Sequence, residues 1–316
     1  MATNGILKFT ADPSTQASWA APTRQQSSNM RGMLRSGKVL MGQVLSYPSR
    51  QVAKTLAVTG ADWIWIDAEH VAWSQKLLVE VIQIINHESG GKMIPVVRVP
   101  SKTSFDYMAW CLDAGAGGVI VPHIETVEEV SAAVAACRFP PTGHRSYPPF
   151  TYLPGLTDAT PEGESIYTLA NKSIAIIPQI ESRLGIQNID AIMQMDEVDA
   201  LMIGGWFNSL QSELKGKLMR NTAGDLRLDM GLPVAFVGSE PEFVAALARA
   251  KEMSKKYGKK LVGAALGTAM VEQRLKEGFT VLISSIDLYT MAFGTVTDLQ
   301  KARSTVEAYF DSSCNK

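Results

Sequence analysis

Three ionisable side chains, Asp67, Glu69 and His70, fall within four positions of WIWIDAEH, directly after an apolar run. A carboxylate or imidazole inside a core must be paired or shifted in pKa, so this short segment reads as an acid/base site. The plainer alternative is a solvated loop with a helix-capping Asp. Further on, MIPVVRVP places Arg98 at the end of an apolar run. Its guanidinium stays charged and offers five donors in a fixed fork, which suits an enolate or a carboxylate; a structural ion pair with Asp67, Glu69 or Asp113 is the alternative. In IAIIPQIES, strand alternation puts Gln179 and Glu181 on one face. A carboxylate there suits a hard divalent cation such as Mg2+ or Mn2+, which prefers oxygen ligands, but such a site requires a second carboxylate, and a Glu paired with Arg98 is the alternative. The stretch CLDAGAGGVIVPHIET supplies Asp113 ahead of a Gly-rich turn, while His123, after a proline, is read as a surface or packed residue outside the site.

These residues form one site only if the elements carrying them converge. From Lys38 onward, short β-rich apolar runs alternate with longer segments of helical period, the pattern of a parallel sheet built from βα units. The runs are Val39–Leu45, Trp63–Asp67, Ile94–Val99, Gly118–Pro122, Ile174–Glu181, Ala200–Gly204, Leu261–Ala265 and Thr280–Ser284. Eight of them predict an α/β fold of the closed (β/α)8 TIM-barrel type. A doubly wound sheet would normally carry a Gly-rich phosphate turn after its first strand, and MGQVLSYPSR has no GxGxxG. In such barrels the active site lies at the C-terminal ends of the strands, where Asp67, Arg98 and Glu181 fall.

The rest of the composition narrows the partners. The chain has 316 residues, 30 basic against 31 acidic, and a 46% hydrophobic share, so no strong field attracts nucleic acid or an anionic membrane. No apolar run reaches the roughly 20 residues needed to span a bilayer, and the start lacks the apolar core of a secretory signal. Three cysteines without CxxC spacing indicate neither a disulfide framework nor a thiolate metal site, and a cytoplasmic, reducing location is expected. Residues 1–30 read as a mobile N-terminal arm, and 31–316 as the barrel domain.

The segments DAEH, VVRVP, LDAGAGGVIVP, RFPPTGHR, PQIES and VDALMIG, in this order, resemble the HpcH/HpaI aldolase family of class II 2-oxo-acid aldolases, and within it the fungal macrophomate synthase-like members. The resemblance runs from about Gly42 to Phe293. It departs at one place: after VDALMIG the family has a Gly/Pro step and an Asp-Leu that supplies the second metal ligand, whereas this chain reads GGWFNSLQSELKG, with Phe207 at the ligand position. Eighteen residues later GDLRLDMGLP resembles the missing segment. The ligand is therefore assigned to Asp225, and Trp206–Ala223 is read as an insertion.

The resemblance implies that Glu181 and Asp225 hold a divalent metal, Mg2+ first and Mn2+ or Co2+ as substitutes, with a pyruvate-like 2-oxo acid completing its coordination. It also implies that Arg98 stabilises the enolate, and that Gln179 and the backbone at Gly224 and Asp225 orient the substrate carboxylate. His70 is the acid/base candidate, with Asp67 or Asp113 fixing its tautomer; in relatives the residue matching Asp113 can reach the site from a neighbouring subunit. Trp65, Tyr147 and, less directly, Tyr167 are candidate aromatic walls, or simply packing residues. A homo-oligomer, a hexamer by resemblance, is expected. Three readings stand: a carbon–carbon lyase acting through a pyruvate enolate by aldol cleavage or oxaloacetate decarboxylation; a biosynthetic enzyme that couples decarboxylation to carbon–carbon bond formation; and a catalytically impaired barrel used for binding or assembly.

Overall fold

The computed structural model describes residues 29–148, 163–203, 224–233 and 239–314. Most of the N-terminal arm and the whole insertion Trp206–Ala223 lie outside the described residues. The arm's last two residues do not: Asn29 caps helix α1 (Met30–Arg35) by accepting the Gly32 N–H, and Met30 is fully buried.

Eight parallel strands close into a barrel, β1 (Leu40–Leu45), β2 (Trp63–Asp67), β3 (Ile94–Arg98), β4 (Gly118–Val121), β5 (Ala175–Ile180), β6 (Ala200–Ile203), β7 (Lys260–Ala264) and β8 (Val281–Ile286). Each lies inside or within a residue or two of the run read from sequence, because a strand buried on both faces must be almost continuously apolar. Between them stand helices α2 (Arg50–Ala57), α3 (Gln75–Glu88), α4 (Phe105–Asp113), α5 (Val127–Cys137), α6 (Ile166–Ser173), α7 (Arg183–Gln194), α8 (Asp225–Asp229), α9 (Pro241–Tyr257) and α10 (Thr268–Lys276), followed after β8 by the long α11 (Asp287–Cys314). Ser49, Ser74, Thr126, Ser165 and Ser182 cap α2, α3, α5, α6 and α7 by accepting a backbone N–H of the first turn.

Strand alternation divides the core in two. One layer lies between wall and helices, with Ile64, Ile66, Val97 and Ile176. The other fills the barrel, with Trp63 and Trp65, Ile94 and Val96, Ala175 and Ile177, and α1 adds Met30 and Leu34 at the N-terminal end. The interior rows change character as they rise. Trp63 and Trp65 are followed two residues on by Asp67, Ile94 and Val96 by Arg98, and Ala175 and Ile177 by Gln179 and Glu181. The apolar lower layers hold the barrel shut and the top layer carries the ionisable groups. At the rim, the Asp287 carboxylate accepts the Ser46 N–H at 2.7 Å and the Tyr47 N–H at 3.1 Å, tying the end of β8 to the end of β1.

Candidate active site

Asp67 and Arg98 are register partners in the β2–β3 ladder, so their side chains rise together. The Arg98 guanidinium donates to both oxygens of Asp67, Nε to Oδ1 at 2.9 Å and Nη2 to Oδ2 at 2.8 Å, and its Nη1 stands 2.9 Å from Glu69 Oε2. The ion pair with Asp67 and Glu69, weighed as the alternative for Arg98, is thus present. It also orients a cation: the guanidinium held by the two carboxylates lies over the Trp65 ring, its Cζ 4.6 Å from the centroid. Asp67 does a second job: its Oδ1 accepts the N–H groups of Glu69 at 3.1 Å and His70 at 3.4 Å, folding the chain after β2 into a tight turn. The Trp73 indole locks that turn by donating to the Asp67 carbonyl at 2.7 Å.

His70 stands out from this turn with 63% of its side chain exposed, and the carboxylate beside its imidazole is Glu69, with Oε2 3.6 Å from Nε2. Asp67 holds His70 through its backbone N–H rather than through the ring. Burial raises the Glu69 carboxyl above the usual carboxylate range, against the opposing pull of Arg98, His70 and His123.

Across the mouth, Glu181 is 2% exposed. Gln179 Nε2 donates to its Oε1 at 2.6 Å, and the His123 backbone N–H donates to its Oε2 at 3.0 Å. Among the described residues its ion-pair partner is His123 and not Arg98. Asp225, first residue of α8, brings its carboxyl within hydrogen-bonding reach of Glu181. Burial first, then the nearby Asp225 and Glu69 carboxyls, push Glu181 up to about 8, against the His123 N–H that favours the charged form. The short α8 is held by its own contacts: Leu226 is fully buried, Arg227 donates twice to Glu240 at 2.7 and 2.8 Å, and Arg183 donates to the Asp229 carbonyl at 2.8 Å. Gly224, its N-cap, accepts the Arg227 N–H at 2.9 Å, so this end of the helix is fixed beside Glu181.

Two predicted residues sit elsewhere. Asp113 ends α4 at the N-terminal side of the barrel wall, just before β4 begins, and accepts Arg145 Nη2 at 2.5 Å. Tyr147 packs edge-on against Tyr167 at 5.7 Å, and Tyr167 against Phe139 at 5.1 Å, with the Arg145 guanidinium 4.6 Å over the Phe139 ring. Asp113 and Tyr147 therefore share one corner far from the mouth of their own barrel, where α4 and α5 end. One residue moves the other way: His123, read from sequence as surface or packed, faces the site. Its Nδ1 is 3.8 Å from Glu181 and its Nε2 3.9 Å from Glu69. Its proline-flanked position at the end of β4 was the one signal available.

Glu69, His123 and Glu181 offer ligand atoms that all lie within 4.8 Å of one another, and Asp225 adds a further carboxyl against Glu181. Carboxylate oxygens gathered this closely, with Arg98 turned toward Asp67 and Glu69, form a donor set that fits a divalent cation. The chain matches the model of the HpcH/HpaI aldolase/citrate lyase family over residues 45–212. The chain belongs to this family. The HpcH/HpaI match ends inside the segment read as an insertion. It is 29% identical over 266 residues to the 2-keto-3-deoxy-L-rhamnonate aldolase of Klebsiella pneumoniae subsp. pneumoniae, covering 83% of this chain and 88% of that one. It is 35% identical over 178 residues to the 4-hydroxy-2-oxovalerate aldolase of Novosphingobium aromaticivorans, covering 56% of this chain and 64% of the relative, which is just under two thirds of that protein's length. Among solved structures, macrophomate synthase superposes with a TM-score of 0.79 at 32% identity, covering 89% of this chain and 91% of that one.

Proposed function

We propose that the protein cleaves or forms carbon–carbon bonds next to the carbonyl of a small 2-oxo acid, through a pyruvate enolate. The observation that carries this is the facing of two groups across one barrel mouth: a carboxylate cluster on Glu181 and Asp225, and an immobilised guanidinium on Arg98. Glu181 and Asp225 would hold a divalent cation, Mg2+ being the first choice for oxygen donors. Bound there, it supplies Lewis acidity to the carbonyl of a 2-oxo acid.

The chain's own groups do the rest. Arg98 spends part of its fork on Asp67 and Glu69 and keeps further N–H donors for an oxyanion, so its positive charge is oriented before substrate arrives. Gln179, beside Glu181, and the backbone at Gly224 and Asp225 orient the substrate carboxylate. The buried Trp65 indole N–H has no partner among the described residues and forms the wall beneath Arg98. His70, exposed at the rim beside Glu69, takes the hydroxyl proton of an aldol in cleavage and returns it in addition.

The protein works as a homo-oligomer. This is supported by α11, whose residues 297–312 are exposed throughout, with Leu299, Val306 and Phe310 at spacings of seven and four along one stripe. It is supported also by Asp113 and Tyr147, which a second copy would be needed to use. No helix among the described residues is long and apolar enough to cross a membrane, and the buried free thiols of Cys111 and Cys137 suit a cytoplasmic protein. The likeness to macrophomate synthase favours a second reading, in which the enolate is captured in biosynthesis rather than released.

Turnover of oxaloacetate and a panel of 4-hydroxy-2-oxo acids, with and without added Mg2+, tests the proposal. Metal-dependent pyruvate formation that disappears in Asp225→Asn is expected. Full activity in that variant would remove Asp225 from the site, and no turnover of any substrate with metal would favour a binding or assembly role.

A further inference from the structure

We propose that His123 is a nitrogen donor to the cation held at Glu181, and that its imidazole biases the centre toward later first-row ions such as Co2+ and Zn2+ over Mg2+. This rests on Glu181 being a metal ligand and adds to it a residue and a preference.

The imidazole lies between two carboxylates, 3.8 Å from Glu181 Oε2 through Nδ1 and 3.9 Å from Glu69 Oε1 through Nε2. An imidazole gives one ion one nitrogen; a carboxylate oxygen sharing that ion at roughly 2.1 Å stands about 3 Å from the nitrogen when adjacent and about 4.2 Å when opposite, and the 3.8 Å from His123 Nδ1 to Glu181 Oε2 falls in that range. The backbone is committed to this placement. His123 has φ of 51°, and no other non-glycine residue among those described has a positive φ. Such a conformation persists where its surroundings over-determine it. Here Lys102 Nζ donates to the His123 carbonyl at 3.1 Å while paired with Glu129 and Glu125, and the Ile124 N–H donates to the Gln179 carbonyl at 3.1 Å. The turn is thus bolted to the loop after β3 on one side and to β5 on the other. It presents the His123 N–H and the His123 ring to the same carboxylate.

A second observation points to a ligand. Gln179 is 3% exposed, its Nε2 is fixed on Glu181, and its Oε1 has no partner among the described residues. A buried acceptor left open beside the carboxylates is positioned for a water carried by a cation. With only carboxylates and such waters the site would suit Mg2+; an imidazole favours the later first-row ions, which accept nitrogen readily.

The test uses Co2+ as probe on the full chain, freed of metal with EDTA. Titrations with Co2+ and Mg2+ are paired with proton NMR of the Co2+ form, in which a ligating imidazole shows an exchangeable, hyperfine-shifted N–H signal. His123→Asn removes the ring and keeps a residue that tolerates positive φ; His70→Asn is the control for the other histidine near Glu69. The wild type should show the shifted signal, His123→Asn should lose it and His70→Asn keep it. Co2+ affinity should fall by about tenfold or more in His123→Asn while Mg2+ affinity stays within about twofold. Retention of the signal in His123→Asn, or equal losses for both ions, overturns the role of His123 alone, provided Glu181→Gln abolishes binding. If the wild type binds neither ion, or Glu181→Gln still binds Co2+ normally, the metal site itself falls and this inference with it.

Discussion

Glu181→Gln should make the metal-free protein more stable at alkaline pH while destroying its cation site. The Glu181 carboxyl is raised from 4.5 to about 8 in the folded chain. At about 1.4 kcal/mol per unit, this corresponds to a ceiling on the order of 5 kcal/mol. The folded state keeps this proton over a range where the unfolded chain has released it, so the penalty is absent below about pH 4.5, grows as pH rises, and is complete above about pH 8. The substitution keeps the shape and removes the charge. The new amide can still accept the His123 N–H, and it can donate to Gln179 Oε1 once that side chain flips, so rearrangement costs only about 1–2 kcal/mol. A net gain of about 3 kcal/mol at pH 8.5, falling to about zero near pH 5 and turning into a net loss of about 1–2 kcal/mol well below pH 4.5, is expected. Urea unfolding followed by tryptophan fluorescence in EDTA, at pH 5 and at pH 8.5, reads it as a difference in midpoint at constant slope. A variant no more stable than the wild type at pH 8.5 would refute the view that Glu181 is a buried carboxyl awaiting a cation.

Arg98→Met should lower stability by about 3–5 kcal/mol, because it strands Asp67 and Glu69 without their shared cation, and adding Asp67→Asn should restore part of the loss. Additive losses in the double variant, read by urea unfolding, would show that the two are not coupled. Deleting Trp206–Ala223 should preserve the circular dichroism spectrum and the binding of divalent ions, since Gly205 and Gly224 rejoin as a short, permissive connection. Loss of fold would show that the segment belongs to the core, and the assignment of Asp225 would have to be withdrawn. Val306→Ser with Phe310→Ser should shift sedimentation to smaller species without changing helix content, and unchanged sedimentation would remove α11 from the subunit contact.

The barrel was legible because its signal is local. Trp63–Asp67 and Ala175–Ile180 are buried from end to end and apolar until their last residues, as strands covered on both faces need to be. Asp67, Arg98, Gln179 and Glu181 were legible for a related reason: each interrupts such a run at the strand end where a barrel opens. His123 was not, because what brings it to Glu181 is a turn with positive φ held by Lys102 from another loop, a long-range arrangement that leaves no periodic trace. Asp113 and Tyr147 show the opposite limit. Their motifs identify them, but no spacing along one chain reveals that they gather around Arg145 and Phe139 away from the mouth. Asp225 required a gapped alignment, and its proximity to Glu181 depends on α8 being docked by Arg227 and Glu240.

The central claim, that this mouth generates the enolate of a 2-oxo acid, is tested most directly by exchange of the pyruvate methyl protons in deuterated water, followed by proton NMR. With added Mg2+ or Co2+ the wild type should exchange them, and Glu181→Gln and Asp225→Asn should each reduce the rate to the uncatalysed level. No exchange by the wild type with either metal, or exchange undiminished in both variants, would contradict the account.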